Sequence, residues 1–180
     1  MRTAPFDAIV LSGGRATRLG GADKAEVVVA GKSLLDRARE AVAGAHTVVV
    51  VGPDVAGGPV AGVAAGLRDV TAPAVVLLAC DMPLVSRETV ARLLRALQSA
   101  SDADGALLTD GDGRRQYLAG AYRTAPLRTA VRGLGTAAGR SMRRLVSGLR
   151  LTEVAAQAEE AMDCDTWPDV DRALRLLEER

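Results

Sequence analysis

Four glycines, two arginines and a lysine follow an apolar run near the start of this 180-residue chain, in the stretch Leu11-Ser-Gly-Gly-Arg-Ala-Thr-Arg-Leu-Gly-Gly-Ala-Asp-Lys24. Glycines let backbone N–H groups close on an anion, and Arg15, Arg18 and Lys24 add charge-assisted donors to phosphate oxygens. A loop of this composition suits a polyphosphate, with Leu11, Ser12, Gly13, Gly14, Arg15 and Lys24 as the nucleotide-facing residues. A glycine-rich surface turn with solvated cations has the same composition, but its place after a buried strand argues against that. Two standard phosphate motifs fail here. The pattern G-x-x-x-x-G-K-[ST] ends on Gly31-Lys32-Ser33 but would need its first glycine at Glu26, and G-x-G-x-x-G begun at Gly13 meets Arg15 at its third position. Gly31-Lys32-Ser33 is therefore expected to be a turn leading into a helix.

Carboxylates supply the second ingredient. Asp81 follows the apolar run Val75 to Ala79 and precedes Met82-Pro83, which places it at the sheet edge where the opening loop emerges. Asp169 and Asp171, two apart near the end of the chain, could bring one or both carboxylates beside it. Oxygen ligands of this kind suit Mg²⁺, which keeps several waters and bridges substrate phosphates. The blander roles are a strand-ending turn for Asp81 and a helix N-cap for either of the later pair. The single histidine, His46, has no cysteine and carboxylate pattern around it that would make a zinc site or a catalytic triad, and reads as structural. The Asp-Gly pairs at 104–105, 110–111 and 112–113 lack the glutamate and flanking helices of a calcium loop and read as turns.

These residues need a scaffold. Ala8 to Leu11, Val48 to Val51 and Val75 to Ala79 are short continuous apolar runs bounded by Gly, Pro or Asp, the pattern of strands in a parallel sheet. Between them, Ser33 can cap a helix carrying Leu34, Leu35, Ala38, Ala41 and Val42, and Ser86 one carrying Val90, Leu93, Leu94 and Leu97. Strand and helix in alternation give right-handed βαβ units. A turn around Asp110 to Gly113 joins 105–109 with 116–122 as an antiparallel excursion. Helices are expected near 125–132 and 140–147 and over 172–179, the last with Leu174 and Leu177 facing in, and Trp167 is expected to pack near the final turn. Arg140, Arg143 and Arg144 lie within about one helical turn, and either present charge to a phosphorylated acceptor or face water. With no repeat or linker, residues 1–180 read as one α/β domain with a mostly parallel sheet.

Composition narrows the partners. A net charge of +1 and only four aromatic residues offer neither a phosphate-backbone footprint nor a base-stacking platform, so nucleic acid is not expected. No apolar run approaches the roughly 20 residues of a membrane span, and the first residues lack a signal-peptide core, so a cytoplasmic protein with Cys80 and Cys164 reduced is expected.

The pattern L-S-G-G-x-x-x-R-L-G-G-x-D-K at 11–24 resembles the signature of nucleotidyltransferases that activate sugars and cofactors, most closely the molybdenum cofactor guanylyltransferases. Further segments carry the likeness in the same order: GGPVAGVAAGL at 57–67, LLACDMPLVS at 77–86, DGRRQYLAGAYR at 112–123, GRSMRRLV at 139–146 and WPDVDRALRLL at 167–177. The resemblance implies a three-layer α/β/α Rossmann-like nucleotidyltransferase fold that uses Mg²⁺ and GTP to attach GMP to the phosphate of molybdopterin or its molybdenum form. It points to Asp81 and Asp169 as metal ligands, and to Asp54 as a stand-in for an aspartate of the guanine and ribose contacts, in a segment, Gly52 to Gly57, shorter than is usual there. Molybdoenzymes or other cofactor-biosynthesis proteins are the implied protein partners. Arg18 and Lys24 fit the task of stabilising charge on the α-phosphate and the leaving pyrophosphate, since an acceptor phosphate is already a nucleophile and needs no strong base. Gly13-Gly14 is typical of the guanylyl enzymes, where cytidylyl relatives usually carry Ala-Gly. The alternatives are cytidylyl transfer, guanylyl transfer to another small phosphorylated acceptor, or a non-catalytic nucleotide-binding accessory protein. Retention of Arg18, Lys24, Asp81 and Asp169 argues against the last.

Overall fold

Strand β1 (Phe6–Leu11) is the axis of the molecule. Every one of its six residues is buried, with Ala8 and Val10 facing one apolar cluster and Ile9 and Leu11 the other. Such two-sided burial requires helices on both faces, and the sequence supplies them. The structure, a computed structural model, describes residues 4–13 and 23–179.

After a short 3₁₀ turn at Lys24–Glu26, strands β2 (Val28–Val29) and β3 (Lys32–Ser33) form a small antiparallel hairpin. Its two turn residues, Ala30 and Gly31, both have positive φ, the geometry that suits a two-residue hairpin. Gly31-Lys32-Ser33 is thus the turn into a helix that the sequence suggests. Ser33 caps α1 (Leu34–Ala41), accepting from the Asp36 amide at 3.1 Å. Then follow β4 (Val48–Val51), α2 (Pro59–Gly66), β5 (Ala74–Ala79) and α3 (Arg87–Ser99), whose start is fixed by a capping box between Ser86 and Thr89. The second half contributes β6 (Gly105–Thr109), β7 (Arg115–Arg123), α4 (Thr124–Gly133), α5 (Met142–Leu145), β8 (Leu151–Ala155) and α6 (Trp167–Glu178).

The six-stranded sheet has the order β4-β1-β5-β7-β6-β8. β7 runs antiparallel to both of its neighbours and the other pairs are parallel, which makes this the mostly parallel α/β architecture expected from the sequence. One face of the sheet packs on α1 and α3, the other on α2, α4 and α5, and a third small cluster joins the hairpin to α6.

Three local expectations are corrected. Val48 to Val51 is a sheet edge: Val48 is exposed and only Val51 is fully buried, because no strand covers its outer side. The closing helix begins at Trp167, five residues before Arg172, since Thr166 and Asp169 form a capping box there and Pro168 suits the first turn. Trp167 is 51% exposed and does not pack into the final turn. The segment 110–113 is a turn, with Asp110 Oδ1 accepting from the Asp112 and Arg114 amides. His46 stands at the amino end of β1, its ring exposed and its amide bonded to the Phe6 carbonyl.

Candidate functional site

Ligands of open parallel sheets bind beyond the carboxyl ends of the strands. Here β1 and β5 end together, Leu11 opposite Ala79, and the Cys80 amide extends the pairing onto the Leu11 carbonyl at 3.0 Å. That register carries Asp81 to the sheet edge beside the residues after β1. On the other flank, Ser12 turns both its amide and its hydroxyl onto the Val51 carbonyl, at 2.9 and 3.2 Å, so β1 and β4 also finish in register.

Lys24 is the centre of the site. Asp23 caps the 3₁₀ turn by accepting from the Ala25 amide at 2.9 Å, which holds the backbone of Lys24 still. The lysine is only 8% exposed, and its Nζ donates to Asp81 Oδ2 at 2.8 Å and to Asp165 Oδ1. Burial opposes a charged ammonium, but the Asp81 charge and the hydrogen bonds to Asp165 and Asp81 outweigh it and raise the lysine's pKa. It is a fixed cation at any physiological pH.

The segment carrying Asp165 is held by backbone bonding. The Cys164 amide donates to the Asp81 carbonyl at 2.8 Å, and Asp169 Oδ2 accepts from the amides of Asp165 and Thr166, at 3.2 and 2.8 Å, and from the Thr166 hydroxyl at 2.7 Å. The Thr166 hydrogen bond leads in holding the Asp169 carboxyl below its usual range. Asp163 lies close enough that partial loss of water and then the Asp165 charge push its carboxyl up. The Cys80 and Cys164 thiols are buried and pushed up to about 12, chiefly by burial, so both sulfurs are protonated packing groups.

Beside this charged cluster is a cavity of about 510 Å³ whose walls include Leu11, Gly13, Val51, Pro53, Gly57 and Gly62. Close approach explains the glycines. A Cβ on Gly13 would lie 3.1 Å from the Gly52 carbonyl oxygen, and one on Gly62 would lie 3.0 Å from Leu11 Cδ2. Gly57 and Gly58 both have positive φ, which bends the chain into α2. The carboxylate of Asp54 leans over Gly52 at the cavity's edge, where a Cβ on Gly52 would be 2.7 Å from its Oδ1. Across the mouth, the Gly139 amide donates to the Gly57 carbonyl at 2.8 Å, bringing Arg140 and Arg143 to the same end of the molecule. Both arginines are exposed, and neither side chain has a partner among the described residues.

The expected site residues thus divide. Leu11, Ser12, Gly13, Lys24, Asp54 and Asp81 gather at one sheet edge; Gly14, Arg15 and Arg18 lie outside the described residues. Asp169 serves the α6 capping box, while Asp165 makes the contact with Lys24. Sequence reasoning passes over Asp165. Near the end of the chain the Asp-x-Asp spacing occurs twice, at 163–165 and 169–171, and Thr166 before Trp167-Pro168 is a helix-start signal that puts the first pair, not the second, in the loop ahead of the helix.

The donor set bears on Mg²⁺. Asp81 and Asp165 present carboxylate oxygens around a single buried cation, and no group of three or more His, Cys, Asp or Glu is assembled to hold a metal among the described residues. One or two carboxylates with the remaining positions left to phosphate and water is the usual mode for Mg²⁺. The residues fit that ion.

Residues 8–154 match the MobA-like NTP transferase domain. The chain is 32% identical over 126 residues to the molybdenum cofactor guanylyltransferase of Shewanella sp. (strain ANA-3), covering 59% of this chain and 64% of the relative. It is 36% identical over 118 residues to that of Pseudomonas putida, covering 55% and 62%. The matched stretch therefore spans less than two thirds of those relatives. Among solved structures, molybdopterin-guanine dinucleotide biosynthesis protein A from Archaeoglobus fulgidus superposes with a TM-score of 0.75 at 18% identity, covering 97% of this chain and 100% of that one. The 2-C-methyl-D-erythritol 4-phosphate cytidylyltransferase of Thermus thermophilus superposes at 0.69 with 23% identity, covering 94% and 98%. At these identities the likeness to solved structures is one of fold.

Proposed function

We propose that this chain, which belongs to the MobA-like NTP transferase family, moves GMP from GTP onto the phosphate of molybdopterin, in its free or molybdenum form, and releases pyrophosphate. The observation that carries the proposal is Lys24, a buried permanent cation fixed by Asp81 and Asp165 at the carboxyl edge of the sheet, next to a glycine-lined cavity of about 510 Å³. The curated relatives named above, which are guanylyltransferases, support the choice of GTP and acceptor.

The cavity between Leu11 and Gly62 receives the nucleoside, with Asp54 at its rim for the ribose or base. Ser12 and Gly13 lead the backbone out of β1 toward the phosphates. Lys24 meets phosphate oxygens in both ground and transition states, and Arg18 is assigned to the charge that builds on the departing pyrophosphate. Asp81 and Asp165 are the residues that would hold Mg²⁺, and Asp169 fixes the backbone of Asp165 from behind. When bound there, Mg²⁺ supplies charge neutralisation at the nucleotide's phosphates. The acceptor's phosphate attacks the α-phosphorus and the bond to the bridging oxygen breaks, so no side chain has to remove a proton. His46, at the far end of β1, is not needed. Arg140, Arg143 and Arg144 follow the Gly139 contact with Gly57, which favours an anionic acceptor on that side.

Thermal unfolding tests the nucleotide. A ligand that binds only the folded state raises the melting temperature by mass action. GTP with Mg²⁺ is expected to give a larger rise than CTP, ATP or UTP at equal concentration. Equal rises for all four would sink the guanine assignment, and a CTP preference would move the reading to cytidylyl transfer.

A further inference from the structure

Lys24 raises a problem for any metal that uses the same carboxylates. Its Nζ lies between Asp81 Oδ2, at 2.8 Å, and Asp165 Oδ1, and the lysine is almost wholly buried. A divalent cation brought to Asp81 and Asp165 would face an ammonium bonded to both, and like charges sharing one pair of ligands repel strongly in a partly desolvated site. A buried lysine, in turn, cannot give up its carboxylates unless another anion takes their place.

We infer that Lys24 is the resident counter-ion of the metal site: without nucleotide its ammonium fills the place between Asp81 and Asp165, and it moves to the nucleotide's phosphates when these arrive with their metal. The inference rests on the function proposed above and adds an order of binding to it. At the exchange each charge keeps a partner, since Lys24 trades carboxylate for phosphate while Asp81 and Asp165 trade ammonium for metal. Metal alone has nothing to offer Lys24 and binds weakly. Nucleotide and metal therefore bind cooperatively, each raising the affinity for the other by the same factor. Lys24 is in this respect a positioning residue as well as a phosphate ligand.

The test needs no turnover. Binding of Mn²⁺ alone is followed by electron paramagnetic resonance of the free ion, for the wild-type protein, Lys24→Gln and Lys24→Arg, with circular dichroism to establish folding. Lys24→Gln removes the charge and is expected to bind Mn²⁺ roughly tenfold more tightly or better than wild type. Lys24→Arg keeps the charge and should stay near the wild-type value. A folded Lys24→Gln protein that binds Mn²⁺ no better than wild type overturns the inference. Should glutamine not be tolerated, Lys24→Met is measured with the same expectation. The wild-type protein gives a further readout. It should retain more Mn²⁺ with the α,β-methylene analogue of GTP than without it, after subtracting what the free analogue holds, and equal retention again overturns the inference. The comparison of variants contains no nucleotide, so it is decided even if the guanine reading fails, whereas that reading stands or falls on the melting experiment with four nucleotides.

Discussion

Asp81 shows how one side chain separates two accounts of the site. As a mere strand-ending turn residue it could be asparagine, since both residues serve turns equally well. As the carboxylate that faces Lys24 and the incoming phosphates, it needs its charge. Asp81→Asn is therefore expected to fold with a lowered melting temperature, since Lys24 keeps only Asp165, while transfer falls by roughly 10²-fold or more, comparable with losing a principal electrostatic stabiliser. The rate of pyrophosphate release across a Mg²⁺ titration, with melting temperature alongside, checks this; a folded variant with wild-type rate and Mg²⁺ dependence would mean that the charge is unused. Lys24→Ala should weaken both nucleotide binding and turnover if, as proposed, the ammonium touches phosphate before and during the reaction. Unchanged kinetics would reduce Lys24 to a structural ion pair. Lys24 and Asp81 can be singled out in the sequence because each sits next to a motif, a glycine loop or a buried strand. Asp165 has no such signal of its own: its role arises from the Cys164 amide bonding back to the Asp81 carbonyl, a contact across 83 residues (164 − 81).

Among the elements, α2 sets the depth of the cavity. Its glycines at 62 and 66 face β1, and a Cβ on Gly66 would lie 2.8 Å from Ile9 Cγ2, so the helix can lie against the strand only because nothing projects between them. Gly66→Val should cost about 1–3 kcal/mol of stability through overpacking, measured by urea unfolding, and should also weaken GTP binding as the helix is pushed from Leu11 and Gly62. A wild-type unfolding midpoint would contradict the close contact. At the opposite edge of the sheet, Asp7 ties the strands together. It is fully buried, accepting from the Thr47 amide at 2.9 Å and from Thr71 and Ala72 at 2.6 and 2.8 Å. Burial would raise its pKa, but those three amides and then His46 outweigh it and hold the carboxyl below its usual value. A carboxyl lower in the folded than the unfolded state contributes stability above the unfolded value, lost as pH falls through the folded one. Wild-type stability should therefore drop below about pH 4, and Asp7→Asn, costing roughly 2–4 kcal/mol at pH 7, should flatten that slope. An equally steep slope in the variant would assign it to other carboxyls. The strands and the caps at Ser33 and Ser86 are legible in the sequence because apolar runs and capping residues act locally. The Trp167 start of α6 has a local signal too, in Thr166, Pro168 and Asp169, whereas the exposed side of β4 has none, since it depends on which strands pair beside it.

Over the whole molecule, charge is distributed unevenly although the net is only +1. The span from Thr124 to Arg150, which supplies α4 and α5 to one face of the sheet, has six arginines and no acid, while the carboxylates of Asp81 and Asp165 bracket the Lys24 ammonium. Arg128 and Arg150 are engaged with Leu67, Val70 and Asp104 at the amino end of the sheet, whereas Arg140 and Arg143 follow Gly139 at the carboxyl end, so the proposed transfer would place its metal-bearing nucleotide and its anionic acceptor in separate surroundings there. No helix of the described residues is long and apolar enough to cross a membrane. The central claim is the transfer itself, and it is tested by incubating the protein with molybdopterin, Mg²⁺ and each of the four nucleoside triphosphates in turn, with mass spectrometry of the pterin product and a pyrophosphate assay. The expected result is a pterin carrying one added GMP, formed with GTP in step with pyrophosphate and far more slowly with the other three. A GMP adduct absent from the GTP reaction, or a CMP adduct formed in preference to it, would contradict the assignment.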